Sequence, residues 1–337
     1  MEETPAFKSP LNKIMMQYLS QCKLELASGT YVGRLHHIHD FDNYLVSISY
    51  KEGDMITEPI ITGWLATLRH LSSGSIKYYA ESVRMFLRFY SQMTGVHTYK
   101  PPHYHVDDSY VPYIFSDDEM DIIYNLIDNY KYGQRSPLPY ISLEFPMVIR
   151  LLDSNGFRLN ELITTKMKDV DLQNGIIKIV NSKGNKQRLV PLDDDMAELL
   201  QYYCKAMKLY EGSPAFLFPR TKMTEPLTTN DIENRFRMVL IKAGLRGERS
   251  SKPHAREACL HCLRHRFTLR SIKQLMAKGI HLNDTVPYIS IYLGHNSIIE
   301  TEMYMKFLSE LFPDEMEKFD KEAAELIPDE DIWDDWM

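Results

Sequence analysis

Four short stretches of the sequence bring together arginine, lysine, histidine and tyrosine, side chains that can grip and attack an anionic ester. The first, Asn155-Gly156-Phe157-Arg158-Leu159-Asn160-Glu161-Leu162, sets an arginine after a glycine turn at a helix start. The second, Lys183-Gly184-Asn185-Lys186-Gln187-Arg188, runs into Val190-Pro191-Leu192. The third is His261-Cys262-Leu263-Arg264-His265-Arg266-Phe267. The fourth, Leu293-Gly294-His295-Asn296-Ser297, is followed by Thr301 and then by Tyr304, nine residues after His295.

Breaking a phosphodiester with a side-chain nucleophile places growing negative charge on the nonbridging oxygens. Two guanidiniums answer that charge with fixed donors that never deprotonate, and Arg158 and Arg264 are the candidates. The nucleophile must attack and later leave, which a phenol with a pKa of ~10 does better than a serine, and Tyr304 is the candidate. The departing sugar oxygen needs a proton, which a cation on a hairpin can deliver. His261 and His295 can donate to phosphate oxygens or relay a proton near neutral pH. His261 and Arg264 are spaced i,i+3 and share one helix face. Each residue alone has an ordinary explanation: a surface arginine, a solvated turn lysine, a structural histidine, a core tyrosine. Their order and spacing set them apart.

The elements that must position these groups follow from hydrophobic spacing. Residues 11–27, 30–48, 58–71 and 74–94 each carry apolar residues at helical intervals and predict a four-helix bundle, with Thr30, Thr57 and Ser73 as helix caps. Pro101-Pro102, Gly95 and Asp107-Asp108 mark a linker. Ser116-Asp117-Asp118-Glu119 reads as a capping box. Helices are expected at 117–129, 139–154, 159–165, 193–208, 229–243 and 258–278, with a hairpin of 176–180 and 188–192.

The chain has 337 residues and a formal charge of −7, which on its face argues against a polyanionic partner. The charge is segregated: residues 156–306 carry +8 and residues 307–337 carry −10. The sequence contains no apolar stretch of membrane-spanning length, and from its acidic, polar first residues no secretory leader is expected. Four cysteines without a leader fit a reducing cytosol.

The four stretches resemble the catalytic motifs of the tyrosine recombinases, the family of phage integrases and Xer and Cre recombinases. The resemblance is strongest over residues 147–306. It implies a mainly α fold with a small antiparallel β-sheet. A SAM-like four-helix core-binding domain would occupy residues 8–98, with a linker at 99–112, a catalytic domain at 113–310 and an acidic tail at 311–337. It implies that Tyr304 forms a 3′-phosphotyrosyl link, that Lys183 is the general acid and that Glu161 supports the active-site cations. Neither ATP, metal nor other cofactor is implied. The implied partners are double-stranded recombination sites and a homotetramer on synapsed DNA, monomeric or dimeric when free. A prokaryotic cytoplasmic setting, a mobile-element role and a Xer-like layout without an added arm-binding domain are expected. A catalytically silent DNA-binding protein, or a relaxing enzyme like the type IB topoisomerases, are the alternatives.

Other contacts to DNA phosphates are expected from Lys186, Arg188, Arg235 and Arg237, and in the bundle from Arg34, His36, His37, Lys77 and Arg84. Cys262 stands where the family commonly has Asp, and Arg266 where it has Thr. Cys259 and Cys262 are spaced as half of a zinc site, but plain buried or surface thiols are the expected reading. Residues 314–325 form a candidate tail helix, and the family likeness suggests docking on a neighbouring subunit.

Overall fold

The computed structural model describes residues 7–104, 112–129, 137–180, 187–247 and 257–294. The chain divides into two compact units, residues 1–110 and 111–337. No described helix is long and apolar enough to cross a membrane.

The first unit holds α1 (Asn12–Glu25), α2 (Ser28–Ser47), α3 (Glu58–Thr67) and α4 (Ser73–Thr94). Their apolar faces close on one core that includes Met15, Ile38, Phe41, Trp64, Val83 and Phe86. Buried Asp42 on α2 accepts from the backbone N–H groups of Lys8 (2.8 Å) and Ser9 (3.0 Å), fixing the entry to α1. Two expected caps are corrected. Helix α2 begins after Ala27, so Thr30 lies inside it, and the cap of α4 is Ser72, whose hydroxyl accepts from the Ser75 N–H.

In the second unit, α5 (Asp117–Asp128) opens on the expected capping box of Ser116 and Glu119. Helices α6 (Ile141–Asn155) and α7 (Leu159–Ile163) follow, then a three-stranded antiparallel sheet of β1 (Val170–Asp171), β2 (Ile176–Ile179) and β3 (Arg188–Pro191). Residue Ile177 pairs with Val170 on one side and Val190 on the other, which places one apolar face of the sheet on the core. The chain continues through α8 (Asp194–Met207), α9 (Thr229–Lys242), α10 (His261–Ala277) and α11 (Leu282–Leu293). Helix α9 starts with a second capping box, Thr228 with Asp231.

One core residue breaks the apolar pattern. Glu144, in the first turn of α6, is fully buried, and neither carboxyl oxygen has a hydrogen-bond partner among the described residues. Burial, and then Asp231, push its pKa up to about 9 against the opposing pull of Arg235. The folded protein therefore holds a proton that the unfolded chain releases at neutral pH. Because the folded-state pKa is raised, stability falls as pH rises from about 4.5 towards 9. Glu144→Gln cannot ionise, so its melting temperature is expected to lose that downward slope and to exceed the parent's at alkaline pH. A variant whose melting temperature tracks the parent's across this range would overturn the assignment.

Candidate active site

The site begins where α6 ends. Gly156 caps α6 with φ of 62°, a left-handed conformation suited to glycine, and turns the chain into Phe157 and Arg158. A Cβ on Gly156 would lie 2.4 Å from the ring of Phe267, so the missing side chain also lets α10 pack against this turn. Asn155 donates to the Pro191 carbonyl at 3.0 Å and ties the same turn to β3.

Arg264, on the first turns of α10, is 2% exposed. Its Nη1 donates to the Gly156 carbonyl at 2.6 Å and its Nη2 to the Leu293 carbonyl at 2.8 Å. Arg158 reaches the same place from α7: its Nη1 lies 3.4 Å from the carbonyls of both Leu293 and Gly294. The two arginines, 106 residues apart in sequence, thus meet at the C-terminus of α11. Carbonyls at a helix C-terminus carry partial negative charge and suit cationic donors.

Glu161 orients this cluster. Its side chain is almost wholly buried, with one oxygen 3.1 Å from Arg158 Nη1 and the other 2.6 Å from Arg188 Nη2. Burial alone would raise its pKa, but the hydrogen bond and charge of Arg188, followed by Arg158, hold it below the usual carboxylate range. It is therefore a fixed anion between two cations.

Arg188, expected as a phosphate contact, is largely buried and paired with Glu161. The residue shares the inward face of β3 with buried Val190, while Leu189 between them is exposed. Its Nε and Nη1 are buried without a hydrogen-bond partner among the described residues. A Cβ on Gly294 would lie 3.3 Å from Nη1, so the guanidinium packs beside the last described residue of the site. Alternation along the strand, which puts Arg188 on the side of Val190, was the available signal for this role.

His261 opens α10 and keeps an exposed face. The surrounding protein, and then Arg264 and Arg158, push its pKa down to about 4, so the ring is neutral near pH 7. The charges of Arg264 and Arg158 disfavour a protonated ring here. Its ring meets that of His265 edge-on at 4.7 Å. Lys183, Lys186, His295 and Tyr304 lie outside the described residues, as do the acidic tail and its expected helix at 314–325.

The more distant candidates divide. Arg237 and Lys77 are exposed, as is His36. Arg235 is half-buried and donates to the Asp231 carbonyl within its own helix. Arg34 donates to the Tyr18 hydroxyl at 2.5 Å. Arg84 is corrected: it is 3% exposed, with Glu81 3.6 Å away. His37 pairs with the Ser82 hydroxyl at 2.8 Å, and burial, followed by His36 and Arg34, pushes its pKa down to about 4.

Arg266 has a role that the sequence did not reveal. It is buried, with Nη1 2.7 Å from both oxygens of Asp153, Nε 3.1 Å from the Phe115 carbonyl and Nη2 paired with Asp117. It locks the helix bearing His261 and Arg264 to α6 and to the entry of α5. Among the described residues no group of three or more His, Cys, Asp or Glu side chains is arranged to hold a metal ion.

Known proteins resemble the chain in sequence and in fold. A tyrosine recombinase XerC of Proteus mirabilis is 27% identical over 177 residues, covering 51% of this chain and 57% of that protein. A probable integrase/recombinase of Methanocaldococcus jannaschii is 32% identical over 158 residues, covering 47% of this chain and 44% of that protein. The chain thus spans about half the length of these relatives. Among solved structures, a lambda integrase dimer bound to a COC′ core site shares the fold with a TM-score of 0.63 at 17% identity, over 86% of this chain and 96% of that one. The profile of the phage integrase family matches residues 116–310, more than half of the sequence. The chain belongs to that family.

Proposed function

We propose that this protein is a site-specific DNA recombinase or integrase that cuts and rejoins DNA through Tyr304. The observation that carries this reading is the convergence of Arg158 and Arg264 on the end of α11, from which the chain runs on to His295 and Tyr304. The guanidiniums bind the nonbridging oxygens of the scissile phosphate and stabilise the charge that develops there. The Tyr304 oxygen attacks phosphorus, its proton passing to a neighbouring histidine or water. The bond to the 5′ oxygen breaks as Lys183 protonates it. A 3′-phosphotyrosyl ester and a 5′-hydroxyl result. A 5′-hydroxyl from a partner duplex then reverses the step, so the ester is exchanged without ATP or metal. Neutral His261 donates a hydrogen bond to a phosphate oxygen without adding charge.

The names of the relatives support DNA as substrate, and the core-site complex of lambda integrase supports a DNA-bound mode of action. Residues 8–98 act as the core-binding clamp, residues 113–310 as the catalytic domain and residues 311–337 as a tail that contacts a basic surface. Assembly is a homotetramer on two synapsed sites in the prokaryotic cytoplasm. The biological role is integration and excision of a mobile element.

A nicked duplex carrying the ends of the DNA segment that encodes the protein provides the test. On a denaturing gel a covalent adduct is expected with the parent and lost in Tyr304→Phe. Failure to trap an adduct on any end sequence, while the DNA is bound, would favour the catalytically silent alternative. Adducts without strand joining between two duplexes would favour the relaxing enzyme.

A further inference from the structure

The motif Cys259-x-x-Cys262 spans the start of α10, and His261 lies between its two cysteines. The sulfur atoms are 3.6 Å apart, and the Cys259 N–H lies 3.4 Å from the Cys262 Sγ. The two thiols differ in access. Cys262 is buried at 1% exposure, while Cys259 is half-buried and lines a cavity of about 330 Å³ together with Arg237, Arg246 and His261. A small oxidant therefore reaches Cys259 first.

We propose that Cys259 and Cys262 are a redox-active dithiol, closed to a disulfide by a peroxide or a low-molecular-weight disulfide, that controls the helix start carrying His261. The thiol hydrogen bond from Cys262, and then the backbone N–H groups of His261 and Cys262 and the charge of Arg246, lower the pKa of Cys259 against the opposing effect of burial. The hydrogen bond with Cys259, and then burial, raise that of Cys262. The pair thus has an accessible attacking thiolate and a buried resolving thiol, the arrangement that favours disulfide exchange.

The chemistry balances with the oxidants named. The Cys259 thiolate attacks one peroxide oxygen, the O–O bond breaks and hydroxide leaves, giving a sulfenic acid. The Cys262 thiol then attacks that sulfur, and the S–O bond breaks with loss of water. With a small disulfide, Cys259 displaces one thiolate to form a mixed disulfide, and Cys262 displaces the second. Either way the protein loses two electrons, and the oxidant gains them.

Closure has a mechanical consequence. A covalent S–S bond is about 2.05 Å long, so the sulfurs must approach from 3.6 Å. The first turn of α10 tightens around His261, three residues before Arg264, and the thiolate that faces the His261 backbone N–H is removed. This consequence for DNA cleavage rests on the proposed recombinase activity; the existence of the redox pair does not.

The test uses the full-length protein, reduced and then treated with hydrogen peroxide or glutathione disulfide. Tryptic peptide Glu257–Arg264 contains both cysteines and is expected to become lighter by two hydrogens, with dithiothreitol restoring it. Cys259→Ser is expected to prevent closure. Retention of both thiols after oxidation, or preferential oxidation of buried Cys22 and Cys204, would overturn the proposal. Stoichiometric zinc binding that blocks closure would also overturn it, making the pair part of a metal site. In the adduct assay, closure is expected to slow trapping on the order of tenfold, since small displacements of a catalytic group are costly. Cys259→Ser should then be insensitive to oxidant. A closed disulfide with unchanged trapping would reject the control of cleavage. Absence of adduct in both redox states, with the disulfide formed, would instead count against the recombinase reading.

Discussion

Arg264→Ala is expected to reduce phosphotyrosyl adduct formation on the order of a thousandfold, the scale of losing one preorganised donor to a developing oxyanion. The residue is suited to this effect because it is held before DNA arrives. Its guanidinium is buried and hydrogen-bonded to the carbonyls of Gly156 and Leu293, so the orientation is already set. Arg264→Lys keeps the charge but loses the rigid fork that satisfies the two carbonyls and, on the proposed reaction, would also hold a phosphate. Its activity should lie between the parent and the alanine variant. Measuring DNA affinity and melting temperature alongside trapping separates chemistry from folding. The expected pattern is cleavage lost far beyond any loss of binding. Trapping by folded Arg264→Ala within about tenfold of the parent would exclude Arg264 from transition-state stabilisation.

Arg266→Ala should have the largest effect on stability, lowering it by about 3–5 kcal/mol because it strands the buried Asp153 carboxylate. Asp153 also accepts from the Tyr124 hydroxyl at 2.8 Å and has Arg270 3.7 Å away, so these partners remain. Neither replaces the two 2.7 Å contacts from Arg266. For a unit of this size the loss corresponds to about 10 °C in melting temperature. The double variant Arg266→Met with Asp153→Leu removes both charges and should recover much of the loss. A single variant that melts within about 2 °C of the parent would show that the pair contributes little to folding.

Much of this organisation was legible in the sequence because apolar spacing and turn residues act locally. The capping box at Ser116, the hairpin strands and most helix spans depend on neighbours within a few residues. Thr30 misled because several residues near a helix start can act as caps, and the chain turns at Ala27 instead. Helix α11 went unread because Pro287 and a run of β-branched residues obscure its periodicity. The side-chain types at Arg158, His261 and Arg264 were readable, but not the meeting of the two arginines at Leu293, which depends on three separated helices. Arg266 was noticed only as a departure from the family pattern; its buried partners come from α5 and α6. Arg188 was expected only as a phosphate contact, whereas strand alternation turns it inward onto Glu161.

The shared carboxylate at Glu161 also sets the electrostatic selectivity of the site. Arg158, Arg188 and Arg264 supply three positive charges, Glu161 removes one, and His261 is uncharged near neutral pH. The described groups therefore sum to two positive charges. An intact phosphodiester brings one negative charge, whereas the five-coordinate species formed during attack brings two. On the proposed reaction, the described cluster carries one charge more than a resting phosphodiester and matches the charge of the five-coordinate species. On the proposed reaction, Glu161 would turn a general anion binder into one whose best-matched ligand exists only while the strand is being broken.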